Sequence, residues 1–363
     1  MRSKIQFKHL ALTMALGLSL AFLVNSCKKS TPFVPPITTT LAASIDSAKW
    51  YLANTSEGTQ PGRYTKGTQA TLLAALTSAE TVLTASATSG TQAQVTAATA
   101  NLNAAITAYE GGLITPIAPT SLVAYWKFNG NANDSSGNGH KGTLEAGPVG
   151  LAAVPLGAPN LTNDRFGNAN SAYHFAGGGN IDVPYSPALE PKAITVSLWE
   201  REDTAGRTDH RADCYMMGLN RWNGWKFQMQ PTRPFFTVDT DTSIYDHDAA
   251  LDITIGATTG SGPWHNLAVT YDGAGTEVFY VDGVMVKTWS DLKGAIKVFT
   301  PTEDLSIGTD LPNSAYTPTD DGTGRYYVAW GGYWTGDLDD IMIYNTPLTA
   351  SQITQIYNQQ LTQ

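Results

Sequence analysis

The side chains best suited to chemistry in this chain fall into three groups, and the first is rich in oxygen. Asn133-Asp134-Ser135-Ser136-Gly137-Asn138-Gly139 offers carboxylate, amide and hydroxyl oxygens on a glycine-permitted loop, and Asp337, Asp339 and Asp340 crowd a stretch near the end. Hard cations such as Ca²⁺ take about six to eight such oxygens. Like charges this close are costly unless a cation or solvent separates them. Asp134, Asn138, Asp339 and Asp340 are therefore the candidate ligands of a structural Ca²⁺, with backbone carbonyls at 138–140 completing the set. The alternative is an Asx turn beside solvated edge carboxylates.

The second group is aromatic. Sugars present apolar C–H faces that stack on exposed rings, while Asn, Asp and Arg satisfy their hydroxyls. Arg221-Trp222-Asn223-Gly224-Trp225 places Trp222 in a turn region, and residues 325–334 are aromatic for a loop, with Trp330, Tyr333 and Trp334. Trp222, Trp330, Tyr333 and Trp334 are the candidate ligand contacts. The competing reading buries them, as large aromatics usually are. Trp126, Trp199 and Trp264 fall in strand patterns and read as core.

The third group could support hydrolysis. Glu200 and Glu202 follow Trp199 and, on a strand, share a face about 7 Å apart, within the range of a glycosidase pair. No Glu-x-Asp-x-Glu pattern is present, however, and Arg201 and Asp203 make the segment read as a charged strand end. Residues 239–248 open like a Ca²⁺-binding helix–loop–helix motif, but Ile244 stands where glycine is needed and Ala250 where the bidentate glutamate belongs. A solvated loop is the expectation there. His210 with Asp209 and Asp213 defines no metal, and the glycines at 177–179 lack the Lys-Ser/Thr of a phosphate loop.

The elements that must position these groups follow from patterning. Arg2, Lys4 and Lys8 precede an apolar run over 10–24, shorter than the ~20 residues of a membrane span and laid out as a secretory signal. Leu23-Val24-Asn25-Ser26-Cys27 resembles a lipobox, with Val24 in the place usually held by Leu. Residues 1–27 are thus expected to be a lipoprotein signal whose Cys27 is lipidated. The alternative is a plain secreted protein. The resemblance implies a cell-envelope, outer-membrane location in a Bacteroidetes-like lipoprotein, with the exposed face left open and the lipid as its membrane contact.

Without residues 1–26 the chain keeps 19 Lys and Arg against 31 Asp and Glu. Such an acidic balance argues against nucleic acid as a partner. After Cys27 a single cysteine, Cys214, remains, so no intramolecular disulfide is expected.

Residues 28–40, with Pro32, Pro35 and Pro36, read as a tether. In 41–110 three apolar stripes at helical spacing predict a three-helix spacer: Leu41, Ile45, Ala48, Leu52; then Leu72, Leu73, Leu76, Ala79, Val82, Leu83; then Val95, Ala98, Leu102, Ala105, Ile106, Tyr109. Thr91 and Gln94 form a capping box. Gly62-Arg63-Tyr64 and the ending at Tyr109 resemble FIVAR-type modules of exported bacterial proteins, which leaves peptide or glycan binding as the alternative to a spacer.

Residues 111–121 are a linker, and 122–363 read as one mainly β domain of short strands broken by Gly, Asn, Asp and Pro, closed by a helix from Ala350. Strands are expected at 123–128, 172–175, 181–183, 194–199, 215–219, 225–229, 235–238, 267–271, 277–281, 284–287, 305–307, 326–329 and 338–344. Asp272-Gly273 and Asp282-Gly283 are hairpin signals.

Three stretches carry a family likeness. Residues 122–144 hold a Tyr-Trp strand and an Asp-Ser-Ser-Gly-Asn-Gly loop; 264–287 hold Trp-His, Tyr-Asp-Gly and Val-Asp-Gly; 336–348 run Gly-Asp-Leu-Asp-Asp-Ile-Met-Ile-Tyr-Asn-Thr-Pro-Leu. In this order they resemble laminin-G-like, concanavalin A-like lectin/glucanase domains. The resemblance implies a jelly-roll sandwich whose first and last strands pair, bringing Asp134 towards Asp339 or Asp340. It also implies a non-catalytic carbohydrate-binding protein with a glycan or glycoprotein as partner, an accessory to polysaccharide capture. A protein-binding adhesion module and a divergent glycoside hydrolase or lyase stay open.

Overall fold

The computed structural model describes residues 32–152, 157–203, 214–254 and 262–362. Cys27, Asp209, His210 and Asp213 lie outside them. Among the described residues no helix is long and apolar enough to cross a membrane.

Three helices come first: α1 (Thr39–Asn54), α2 (Thr68–Ser86) and α3 (Gln92–Gly111). They bury the expected stripes apart from Leu73, which is exposed, with Leu41, Ile45, Leu72, Leu76, Val95, Leu102 and Tyr109 in one cluster. Thr91 and Gln94 close a reciprocal capping box at the start of α3, which satisfies backbone donors that a helix start otherwise leaves unpaired. Tyr64 stacks on Tyr109 with centroids 4.3 Å apart.

Among the described residues the β domain has fifteen strands. The first five are β1 (Leu122–Trp126), β2 (Thr143–Glu145), β3 (Asn160–Thr162), β4 (Ala172–Phe175) and β5 (Asn180–Val183). Next come β6 (Ile194–Glu202), β7 (Cys214–Leu219), β8 (Trp225–Met229), β9 (Pro234–Asp239) and β10 (Ile244–Asp248). The last five are β11 (His265–Tyr271), β12 (Glu277–Val281), β13 (Val284–Trp289), β14 (Leu305–Ile307) and β15 (Gly336–Tyr344), followed by α4 (Ala350–Gln360).

Two antiparallel sheets result. One runs β13-β12-β11-β6-β15-β4-β3, with β1 also on β15; the other runs β10-β9-β8-β7-β14-β5-β2. Their facing sides share one core containing Trp126, Phe175, Leu198, Trp225, Phe236, Phe279, Trp334 and Ile341.

The first and last strands pair, Trp126 opposite Ile341. The second face of the first sheet is also buried. Ala268, Tyr280, Tyr125, Met342 and Tyr344 pack there with Ile353 and Ile356 of α4, which is why both faces of β12 are apolar.

Two expectations fail. Residues 326–329 form no strand: Thr317 bridges Tyr327 and a 3-10 turn, Val328–Trp330, follows. Within the acidic segment 239–248, Ile244–Asp248 is edge strand β10 paired with β9 rather than a loop. The two Asp-Gly pairs also differ. Asp282-Gly283, both at positive φ, makes a two-residue turn between β12 and β13. Asp272 instead anchors a longer loop by accepting from the amides of Ala274, Gly275 and Thr276.

Candidate functional site

The acidic residues read as cation ligands are not gathered into one ligand set. Asp134 bridges to β1 at Trp126. Its carboxylate accepts from the backbone amides of Tyr125 (3.0 Å), Ser136 (2.8 Å) and His140 (3.0 Å) and from the Ser136 hydroxyl (2.8 Å). Asp134 is thus a clasp holding the 134–140 loop on the first strand. Against the cost of burial, these donors hold its carboxyl below the usual value.

Asn138 turns its amide nitrogen to the carbonyls of Leu122 and Val123, each at 2.8 Å. The His140 carbonyl accepts from the Trp126 indole at 2.7 Å. These groups are engaged within the protein.

Asp339 and Asp340 find a different counter-charge. In a regular strand they would face opposite sides, since side chains alternate with period 2. The register of β15 on β6 shifts between Asp339 and Met342, and Asp340 takes φ +46°. This bulge inserts one residue. Leu338 and Ile341 keep their core positions while both carboxylates turn to the outer side of the sheet.

Arg165, from the loop between β3 and β4, meets both there, Nη1 to Asp339 at 2.6 Å and Nη2 to Asp340 at 2.8 Å. Tyr125 donates its hydroxyl to Asp340 at 2.6 Å. Asp337, beside them, faces His174 (2.8 Å) and Arg201 (2.7 Å to Nε). Among the described residues no group of three or more His, Cys, Asp or Glu is placed to hold a metal ion. Of the four expected Ca²⁺ ligands, Asp134 and Asn138 are placed as a backbone clasp, and Asp339 and Asp340 as an arginine-bridged pair.

The aromatic candidates divide as sharply. Trp334 is 0% exposed and belongs to the core between the sheets. Tyr333 is buried with Leu151, Ala152 and Val328. Neither can meet a ligand directly, which corrects the sequence expectation for both. Trp330 is 52% exposed. Trp222, half-buried, stands edge-to-face with it at 6.0 Å and 66°, a favourable aromatic geometry.

The support beneath this pair was not foreseen. Arg221 is fully buried, paired through Nε to Asp310 at 2.6 Å. Its Nη1 reaches across to the carbonyls of Gly324 (2.7 Å) and Tyr327 (3.2 Å). Its guanidinium also lies 5.3 Å from the centroid of the Trp222 ring. Trp330 lies against Gly324, where an added Cβ would come within 2.4 Å of the indole. One buried cation therefore fixes the loop carrying Trp330 to the turn carrying Trp222. The Arg-Trp-Asn-Gly-Trp run was the only sequence sign of it.

The glutamate pair is not a cleft. Glu200 and Glu202 continue the core-facing side of β6 set by Ile194, Val196 and Leu198, and both are buried. Burial, then the Glu202 charge, pushes the Glu200 carboxyl well above its usual value. Trp264, expected in the core, is half-buried under Arg201, 5.0 Å from its ring centroid.

Two facing antiparallel sheets with a helix closing one outer face define a jelly-roll sandwich. Residues 175–354, most of this β domain, match the Laminin_G_3 model of the concanavalin A-like lectin/glucanases superfamily.

Among solved structures, domain 4 of AbnA, a GH43 extracellular arabinanase from Geobacillus stearothermophilus in complex with arabinotriose, is similar at 19% identity. The match covers 65% of this chain and 98% of that one, with a TM-score of 0.47. The binding domain of Paraclostridial Mosquitocidal Protein 1 is similar at 15% identity over 67% of this chain, with a TM-score of 0.45. The present chain spans 53% of that second chain. The search of curated proteins finds no match.

Proposed function

We propose that this protein recognises a glycan without transforming it, and that the Trp222–Trp330 face is where it does so. The observation that carries this reading is the half-exposed Trp330 held edge-to-face on Trp222 by the buried Arg221–Asp310 pair. A ring fixed in advance loses little conformational freedom on binding. An indole face is suited to the C–H side of a pyranose or furanose ring.

A hydrolytic reading has less support. Its carboxylate pair points into the core, and a buried Glu200 lacks the open approach that a nucleophile or general base requires. We further propose that Cys27 carries lipid and anchors the protein to the cell envelope, with α1–α3 between anchor and β domain.

The deciding experiment is a glycan array probed with the purified protein and its Trp330→Ala variant. Binding to a defined glycan class, lost in the variant while its melting temperature holds, is the expected result. If no glycan binds, or the variant binds unchanged, the reading is wrong and a protein-binding adhesion module takes its place. Labelling cells with a fatty-acid probe, with Cys27→Ser as control, tests the anchor.

A further inference from the structure

Two adjacent carboxylates buried at one corner need a positive charge, and this chain supplies its own. The side chains of Arg165, Asp339 and Asp340 are 5%, 3% and 7% exposed. The guanidinium is flanked by Phe166 and Trp199, 4.7 and 4.5 Å from their ring centroids. Its Nη2 also donates to the carbonyl oxygen of Gln360, near the end of α4, at 2.7 Å. Arg165 thereby joins the loop after β3, the last strand and the closing helix.

Three oxygens from two elements converge on this cation: Asp339 Oδ2, Asp340 Oδ2 and the Gln360 carbonyl. Around them lies a polar pocket of about 160 Å³, also lined by Asn129, Asp164, Asn168 and Ser171. These are hard oxygen donors, the kind that Ca²⁺ collects.

We propose that Arg165 is the built-in cation of this corner, occupying a position that a divalent oxygen-seeking ion would otherwise take, so that the native domain is cation-independent and truncation of Arg165 uncovers a Ca²⁺-class site.

A further observation agrees. The Nε of Arg165 is buried without a hydrogen-bond partner, so the oxygens present do not satisfy the whole guanidinium fork.

The test compares wild type, Arg165→Ala and Arg165→Lys, each melted with chelator and with millimolar Ca²⁺. Tb³⁺ is added as a luminescent stand-in for Ca²⁺, sensitised through Trp199. Wild type is expected to melt at one temperature in both conditions and to give no saturable Tb³⁺ signal. Arg165→Ala should melt lower in chelator, recover at least half of the loss with Ca²⁺, and give a saturable Tb³⁺ signal that a second change, Asp340→Asn, abolishes. Arg165→Lys, which keeps a positive charge, should melt between the two and stay dark.

Three results overturn the proposal: a chelator-sensitive wild type, an Arg165→Ala protein that responds to neither ion, or one that folds neither with nor without Ca²⁺. A Tb³⁺ signal in Arg165→Lys equal to that of Arg165→Ala does so as well, because the charge would then not be what excludes the ion.

Discussion

Two regions of the β domain invite comparison: the acidic corner at β15 and the tryptophan face between the Arg221 turn and the 324–330 loop. Both are rich in side chains that bind ligands elsewhere, and both are organised around a buried arginine. At the corner, Arg165 spends its charge on the very carboxylates that could have held a ligand. At the face, Arg221 pairs with Asp310 and with loop carbonyls, and what it leaves outside is a bare indole. The same residue type closes one region and presents the other. A recognition surface is marked by what the fold leaves unsatisfied after its own accounts are settled, more than by residue type.

That contrast can be broken or sharpened by mutation. The largest effect is expected from Trp334→Ala, which empties the core at a position with no exposure. Large-to-small aromatic changes in cores cost about 3–5 kcal/mol, or a melting shift of about 2–4 °C per kcal/mol at this domain size. Calorimetry that finds Trp334→Ala as stable as wild type would contradict the division between Trp334 and Trp330.

Next is Asp134→Ala, which removes the acceptor of three backbone amides and one hydroxyl. A loss of about 2–3 kcal/mol is expected from hydrogen bonds to a charged acceptor. It should be insensitive to added Ca²⁺ in denaturant titrations, and a calcium-dependent loss would restore a metal role for Asp134.

Trp330→Ala should leave stability within about 0.5 kcal/mol, as for a surface change, while weakening glycan binding tenfold or more, about 1.4 kcal/mol. Isothermal titration beside a melting curve separates the two.

The smallest effect is a slope. Glu200 is buried with its carboxyl pushed well above the ordinary value and its Oε2 without a hydrogen-bond partner. The folded state therefore holds a proton that the unfolded chain releases near pH 4.5, the ordinary glutamate value. Its contribution is fully present below that pH and is lost as pH rises towards the folded value. Glu200→Gln should flatten the fall of the melting temperature above pH 4.5 and change little below it. Equal slopes for both proteins would show that Glu200 is ionised in the fold.

Much of the scaffold was legible in local pattern. Alternation in Leu267, Val269 and Tyr271, the Asp-Gly turns and the helical stripes all reflect short-range rules of strand and helix geometry. The acid pair was legible only as a problem. Arg165 solves it from 174 and 175 residues away, through a loop and a bulge that no local periodicity encodes. Trp330 and Trp334 show the same limit more narrowly. They are four residues apart in one aromatic run, and nothing in their types separates the one that ends the 3-10 turn from the one that drops into the core.

The sequence by itself determined the elements, their apolar faces, and the presence of unusual acidic and aromatic content, because these follow from residue chemistry and spacing along the chain. Only the tertiary structure decided which charges cancel internally and which ring stays in water. Those outcomes depend on the pairing of distant segments, where burial and counter-charge are set by neighbours that the linear order does not reveal.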